Sequence, residues 1–360
     1  MQGGETGLSQ RLLDFLRQRL GRSALTYAAP PAELQGGFES LIYSFALDGA
    51  PAEFEGPLVL RVLRRLEDPQ RARREAVIHN TVAEHGFPAP RVLIAVATSE
   101  QLGAPFLIMH RVPGTTMLAQ FEGLGRGRSY GELIRPLISM PRILRETISQ
   151  LAQTQARLHR LPGELLLRAF EREGLNVGAI TFDGKLRAMF DKTGPGLLSD
   201  LRPAVAWLTD NLPPKPDALV ICHGDFQPFN IMVKDGQVTG VIDWVNAAVA
   251  EPAFDVGATS GSLVTVPVQI PLILRQTVYA SMRVAKSAYE RAYRRHAPLA
   301  APRVRYYEAA RCVSELVWMG ARLASGDAKT GAYQSAEGVR RLTRHLHRLT
   351  GVEVRFPFRV

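Results

Sequence analysis

The 360-residue chain carries only two cysteines, Cys222 and Cys312. That excludes a disulfide framework, and their separation excludes a paired metal-ligand motif. No run is apolar for long enough to cross a bilayer, so no membrane partner is expected. The start, Met1-Gln2-Gly3-Gly4-Glu5, lacks the basic opening and apolar stretch of a secretory signal, and the expected location is cytoplasmic. Internal repeats, low-complexity tracts and the signatures of zinc fingers, helix-turn-helix or RNA-recognition modules are all lacking. Acidic residues are in deficit: 34 Asp and Glu stand against 44 Lys and Arg, for a formal charge of +10. Without a nucleic-acid motif this excess reads as solvated, arginine-rich helix faces, and no nucleic-acid partner is expected. The same excess opposes a polycationic substrate drawn in by the field of the whole protein.

Hydrophobic periodicity changes character along the chain. A helical pattern over Leu8 to Leu20 precedes strand-like runs at Leu41 to Leu47, Leu58 to Leu63, Val92 to Ala97 and Pro105 to Val112. One helix, from Gln70 to Glu84, interrupts them and stops at Gly86 with Pro88 behind it. After Pro113-Gly114 helices dominate: Arg142 to Leu161, Leu197 to Asn211, Val268 to Arg295, Arg303 to Ser325 and Ala336 to Leu349. Loops are expected at Gly125 to Ser129 and at Thr193-Gly194-Pro195-Gly196. The expectation is an α+β fold of two lobes. A β-rich lobe spans residues 1–108, a linker 109–114, and a helical lobe 115–360.

Chemistry concentrates on one hairpin inside the helical part. An apolar run, Val220-Ile221-Cys222, enters His223-Gly224-Asp225; four residues later comes Asn230, followed at once by Ile231-Met232-Val233. Asp235-Gly236 is a two-residue hairpin signal, and the chain returns through Val241-Ile242 to Asp243. Pairing Lys234 with Gln237 and Val233 with Val238 places Asn230 beside Val241 and Asp243 just past it. Three oxygen-bearing side chains, Asp225, Asn230 and Asp243, are thereby expected at the hairpin's open end. Magnesium, a hard cation, takes ligands of this type together with substrate phosphates.

The pattern H-G-D-x-x-x-x-N followed by I-D-W resembles the aminoglycoside phosphotransferase and choline kinase-like family of the protein-kinase-like superfamily. Protein kinases carry H-R-D-x-x-x-x-N and D-F-G at the corresponding places. The resemblance implies a bilobal protein-kinase-like fold and phosphoryl transfer from ATP or GTP to a hydroxyl of a small molecule. It implies Asp225 as catalytic base, Asn230 and Asp243 as Mg2+ ligands, and His223 and Asp255 as supports of the loop. A protein kinase is the less favoured reading, because His-Gly-Asp replaces His-Arg-Asp and no A-P-E follows. A nucleotide-binding scaffold without catalysis is the reading from outside enzymology.

The resemblance also assigns the nucleotide side. Arg61, on the third strand-like run, stands where the family often has Lys, and Glu75 on the following helix is its ion-pair partner. Gly36, Gly37 and Ser40 lie where a phosphate-covering loop belongs, with Gly36 and Gly37 free to turn amides toward an anion. The backbone C=O of His110 and N–H of Val112 are implied to meet the adenine edge. On the acceptor side, Glu308, Arg311, Glu315 and Trp318 share one helical face by spacing, and Glu308, Glu315 and Trp318 are the substrate candidates. The net positive charge favours a neutral or anionic acceptor, such as a macrolide-like, sugar-like or acyl-thioester compound. A monomer or homodimer is expected.

Overall fold

The computed structural model describes residues 2–34, 40–63, 70–97, 102–121, 130–194, 196, 198–267, 272–324 and 335–356. It divides into two compact units. The first comprises Met1–Thr115, Ala169–Leu175 and Met232–Val245; the second comprises Thr116–Arg168, Asn176–Ile231 and Asn246–Val360. The hairpin after Asn230 thus groups with the first unit, whereas the sequence expectation assigned everything from residue 115 to the helical part.

In the first unit, α1 (Gln2–Leu20) precedes strands β1 (Thr26–Glu33), β2 (Ser40–Asp48) and β3 (Leu58–Leu63). Then come α2 (Arg71–Glu84), β4 (Val92–Val96) and β5 (Phe106–His110). The sheet runs β1-β2-β3-β5-β4, antiparallel throughout. Period-two alternation separates its faces. Leu58, Leu60, Phe106 and Ile108 join Leu12, Leu13 and Leu16 of α1 in one buried cluster. Leu63, Leu107 and Met109 face the other way and meet Ala72 of α2. Arg61 is on this second face, so alternation alone aims its side chain toward α2.

β1 went unread from the sequence because Pro30 and Pro31 interrupt it. It survives as an edge strand, where a missing N–H is tolerated, and its register against β2 shifts between Ala29 and Ala32. On α2, His79 is 1% exposed, bonds the Pro90 carbonyl through Nδ1 at 3.0 Å and lies edge-on to Trp244. Burial lowers its pKa to about 4, against an opposing pull from Glu75.

The remaining small sheet contains β6 (Thr115–Thr116), β8 (Ile231–Lys234) and β9 (Gln237–Val241), in the order β6-β8-β9. Asp235 at φ 51° and Gly236 at φ 75° form the turn that their sequence signals.

The second unit holds α3 (Tyr130–Leu158), α4 (Gly163–Arg172, its last turn in the first unit), α5 (Phe182–Lys192) and α6 (Arg202–Asp210). Next come the antiparallel pair β7 (Val220–Cys222) and β10 (Ala248–Ala250), then α7 (Pro252–Thr265), α8 (Leu272–Arg294), α9 (Ala301–Ala324) and α10 (Ala336–Thr350). The expected loop at 125–129 lies outside the described residues. Helix α7, Pro-Ala-Phe-Asp-Val-Gly-Ala-Thr-Ser-Gly-Ser-Leu-Val-Thr, is buried on nearly every side and therefore shows no apolar stripe. It packs backbone to backbone on α9. A Cβ on Gly257 would come within 2.7 Å of Tyr307 Cβ and 2.8 Å of the Val304 carbonyl oxygen.

Two outcomes follow from this packing. Gly257→Ala is expected to destabilise the chain by about 1–3 kcal/mol through overpacking, read as a lowered thermal midpoint. The unfolded chain binds a proton at residue 79 that the folded chain refuses between pH 6.5 and about 4. Stability therefore falls as the pH is lowered through that window, by on the order of 3 kcal/mol from this group. Urea titrations at pH 7 and pH 4 should show a smaller loss for His79→Gln than for the unsubstituted chain.

Candidate active site

β7 delivers the chain into His223-Gly224-Asp225, and the bend is made by glycine. Gly224 adopts φ 77°, and a Cβ there would fall 2.2 Å from the Asn246 carbonyl oxygen. The loop is held from within by Asp255 on the first turn of α7. Its carboxylate accepts the amides of His223 at 2.9 Å and Gly224 at 2.7 Å, together with His159 Nε2 at 3.1 Å. Burial opposes its ionisation, but the His159 hydrogen bond, the His159 and His223 charges and the His223 amide outweigh it. The Asp255 carboxyl is held below the usual range. The His223 ring is buried, and its Nδ1 accepts the Asp225 amide at 3.2 Å.

Asp225 itself is gripped at both oxygens. Oδ1 accepts from Gln227 Nε2 and, at 2.8 Å, from the Arg311 guanidinium on α9; Oδ2 accepts from Asn230 Nδ2 at 3.2 Å. The same Asn230 nitrogen reaches the Asp225 carbonyl at 2.9 Å. Both bonds use the Asn230 nitrogen, and its amide oxygen is of the type a hard cation takes.

His159, Cys222 and Asp255 place a nitrogen, a sulfur and an oxygen within 4.8 Å of one another. The three belong to a hydrogen-bonded core rather than a metal centre. His159 Nδ1 meets the Tyr293 hydroxyl at 2.6 Å, the Cys222 sulfur faces the carbonyls of Ala250 and Glu251, and burial pushes the thiol pKa up, away from thiolate.

In the first unit, Arg61 is 9% exposed and has three oxygen partners. Nε donates to Ser40 Oγ at 3.0 Å, NH1 to Glu75 Oε2 at 2.9 Å, and NH2 to Asp243 Oδ1 at 3.1 Å. Burial opposes the charge, but Glu75 and Asp243 outweigh it, so the guanidinium is held more firmly protonated than in water. Arg71 adds a second cation to Glu75 at 3.0 Å. Asp243 sits at φ 66°, a left-handed conformation rare for a side chain larger than glycine, and 41% of its side chain is exposed. Its Oδ1 is engaged by Arg61.

The other sequence candidates have their own surroundings. Gly36 and Gly37 are outside the described residues. His110 Nε2 bonds the Glu53 carbonyl at 2.8 Å. The Val112 side chain lies over Gly240, where a Cβ would stand only 2.6 Å from it. Trp318 stacks with the Arg322 guanidinium at 4.8 Å.

Glu308 lies on α9 among charged partners. It is fully buried, bonded to Lys286 Nζ at 2.7 Å and to His345 Nε2 at 2.7 Å. Burial would raise its pKa, yet these partners hold it low. Glu315 pairs with Arg311 at 2.8 Å. Arg311 and Gln227, the two side chains that bond Asp225 Oδ1, were not among the sequence candidates. Gln227 carried a signal, two residues beyond Asp225 in the loop; Arg311 was noticed only as part of a helical face.

The family model described as the phosphotransferase enzyme family (APH) matches residues 32–299. Among curated proteins, acyl-CoA dehydrogenase family member 11 of Pongo abelii is 25% identical over 193 residues, covering 51% of this chain and 22% of that protein. Aminoglycoside 3'-phosphotransferase of Streptomyces fradiae is 26% identical over 181 residues, covering 50% of this chain and 60% of the other. The chain thus spans less than two thirds of the length of these relatives. Among solved structures, a macrolide 2'-phosphotransferase type I superposes with a TM-score of 0.55 at 16% identity, covering 96% of this chain and 97% of that one. A thermostable mutant of aminoglycoside phosphotransferase APH(4)-Ia, solved with ADP and hygromycin B, gives 0.53 at 16% identity, covering 95% and 99%. These likenesses show a protein-kinase-like α+β fold, and with a family match that runs through more than half of its length this chain belongs to the phosphotransferase enzyme family.

Proposed function

We propose that the protein transfers the γ-phosphoryl group of ATP, with GTP as the alternative donor, to a hydroxyl group of a small molecule. The observation that carries this reading is the Asp225 loop: a carboxylate oriented by Gln227, Asn230 and Arg311 on a backbone pinned by Asp255. Phosphoryl transfer asks for positioning and electrostatics more than for covalent chemistry, and a fixed carboxylate serves to align an acceptor hydroxyl. Arg61, tied to Glu75, is the phosphate-side cation, with Ser40, Gly36 and Gly37 lining the covering loop. The main chain at His110 and Val112 receives the adenine within a 109–114 hinge. Asn230 and Asp243 each offer an oxygen suited to Mg2+, which when bound neutralises phosphate charge. The supporting neighbour bound ADP and hygromycin B in its own site.

The acceptor is neutral or anionic on this reading, because a chain of formal charge +10 repels polycations at long range. Glu308, Glu315 and Trp318 are the acceptor-side candidates, and the cytoplasm is the place of action. Vigorous turnover of kanamycin-type compounds would overturn the acceptor assignment.

Thermal unfolding with ATP, GTP and ADP, each with and without Mg2+, tests the nucleotide site. A ligand at a hundredfold excess over its Kd stabilises by about 2.7 kcal/mol, so a rise of several degrees that needs Mg2+ is expected. No shift at millimolar nucleotide removes the nucleotide site, and with it both the transferase and the nucleotide-binding scaffold. Asp225→Asn is expected to keep the shift and lower turnover by about 10²–10⁴-fold; normal turnover by that variant removes the role given to Asp225.

A further inference from the structure

Counting lone pairs on Asp225 identifies which of its oxygens faces chemistry. An ionised carboxylate offers about four acceptor sites, two on each oxygen. Gln227 Nε2 and Arg311 NH2 fill both sites of Oδ1, and Asn230 Nδ2 fills one of Oδ2. One site remains, on Oδ2.

Arg311 closes Oδ1 with a charged donor. Its second nitrogen bonds the Gly224 carbonyl at 3.2 Å, so one guanidinium fork spans the main chain and the side chain of adjacent loop residues. Gln227 is neutral, so the cation beside Asp225 comes from α9, 86 residues downstream. Arg311, Asp225 and Glu315 have side chains only 12%, 14% and 15% exposed, which removes this group from the class of solvated surface pairs.

The helix that supplies Arg311 is itself immobilised. Tyr307 donates to Glu251 at 2.9 Å, Glu308 is clasped by Lys286 and His345, and the α7 backbone abuts at Gly257. A rigid element therefore carries the guanidinium, which is the condition for ångström-level positioning.

We infer that Arg311 is a positioning residue: it holds Asp225 with Oδ1 closed and Oδ2 open to the acceptor hydroxyl. The inference rests on the phosphotransferase reading above. In the step, the acceptor O–H is hydrogen-bonded to Oδ2 of Asp225. The acceptor oxygen bonds the γ-phosphorus while the bond from that phosphorus to the β,γ-bridging oxygen breaks. ADP departs with the electron pair, and the hydroxyl proton passes to Oδ2 and then to solvent.

The test is Mg2+-ATP turnover with water as acceptor, followed as phosphate release, for the unsubstituted chain, Arg311→Met, Arg311→Lys and Asp225→Asn. A misplacement of about 1 Å costs on the order of 10²-fold, so Arg311→Met is expected to lose about 10²-fold in kcat with KM for ATP within about twofold. Arg311→Lys, which restores the charge but not the fork, should recover part of that loss. Unchanged kcat in Arg311→Met overturns the inference. So does a loss of kcat matched by an equal loss of ATP affinity and thermal midpoint in both variants, because that pattern marks a purely structural residue. Should Asp225→Asn lose turnover while Arg311→Met does not, the inference fails and the phosphotransferase reading stands. Should Asp225→Asn turn over normally, the reading itself fails.

Discussion

Three N–H groups converge on the Asp255 carboxylate inside the helical unit, two from the backbone of His223 and Gly224 and one from the His159 ring. A carboxylate taken from water without such partners is penalised by several kcal/mol and would protonate instead. Here charge-assisted hydrogen bonds and a place in the first turn of α7, where the helix dipole favours negative charge, keep it ionised. The consequence is geometric. Gly224 has a left-handed φ and passes within van der Waals reach of Asn246, so the loop has one path available. Asp225 emerges from that path at a fixed angle, and Gln227, Asn230 and Arg311 then settle its rotation.

The first unit solves a similar problem with the opposite charge. Arg61 is placed by strand alternation on the α2 face of the sheet, where its flat guanidinium meets Ser40, Glu75 and Asp243 at once. A lysine ammonium is a point charge and does not match three oxygens in one plane as a fork does. Asp243 holds its end of the contact in a left-handed backbone conformation that costs roughly 1–2 kcal/mol. Strain of that kind persists where surrounding contacts over-determine the position, and it gathers at functional sites. Here those contacts include the Trp244 indole on the Val241 carbonyl and the Val241 amide on Pro88.

Much of this was legible in the sequence, for identifiable reasons. Strands β2 to β5 stood out as short apolar runs, and helices α2 and α9 by their helical period. The turn at Asp235-Gly236 announced itself by residue type. The family pattern singled out Asp225, Asn230 and Asp243 by spacing alone. Burial erased the signal elsewhere: α7 is enclosed on all sides and has no polar stripe, and β1 carries two prolines that only an edge strand accepts. Helix α9 misled in a different way. Glu308, Arg311 and Glu315 share a face by period, but that face meets different neighbours along its length. Glu308 lies beneath α8 and α10, while Arg311 reaches the loop at Asp225. The pairing of Arg311 with Glu315 looks like an ordinary i,i+4 bridge, and its partner Asp225 is too distant in sequence for any local pattern to reveal.

Helix α9 engages four separately built segments from successive turns. Arg303 and Tyr307 meet Glu251, Glu308 meets Lys286 and His345, and Arg311 meets the loop at Asp225. An α-helix advances about 100° per residue, so one residue inserted or deleted between Arg303 and Arg311 would swing part of this set away from its partners. A length change within α9 is therefore expected to disturb several of these contacts at once, where the same change in the connections flanking α8 would leave their register intact.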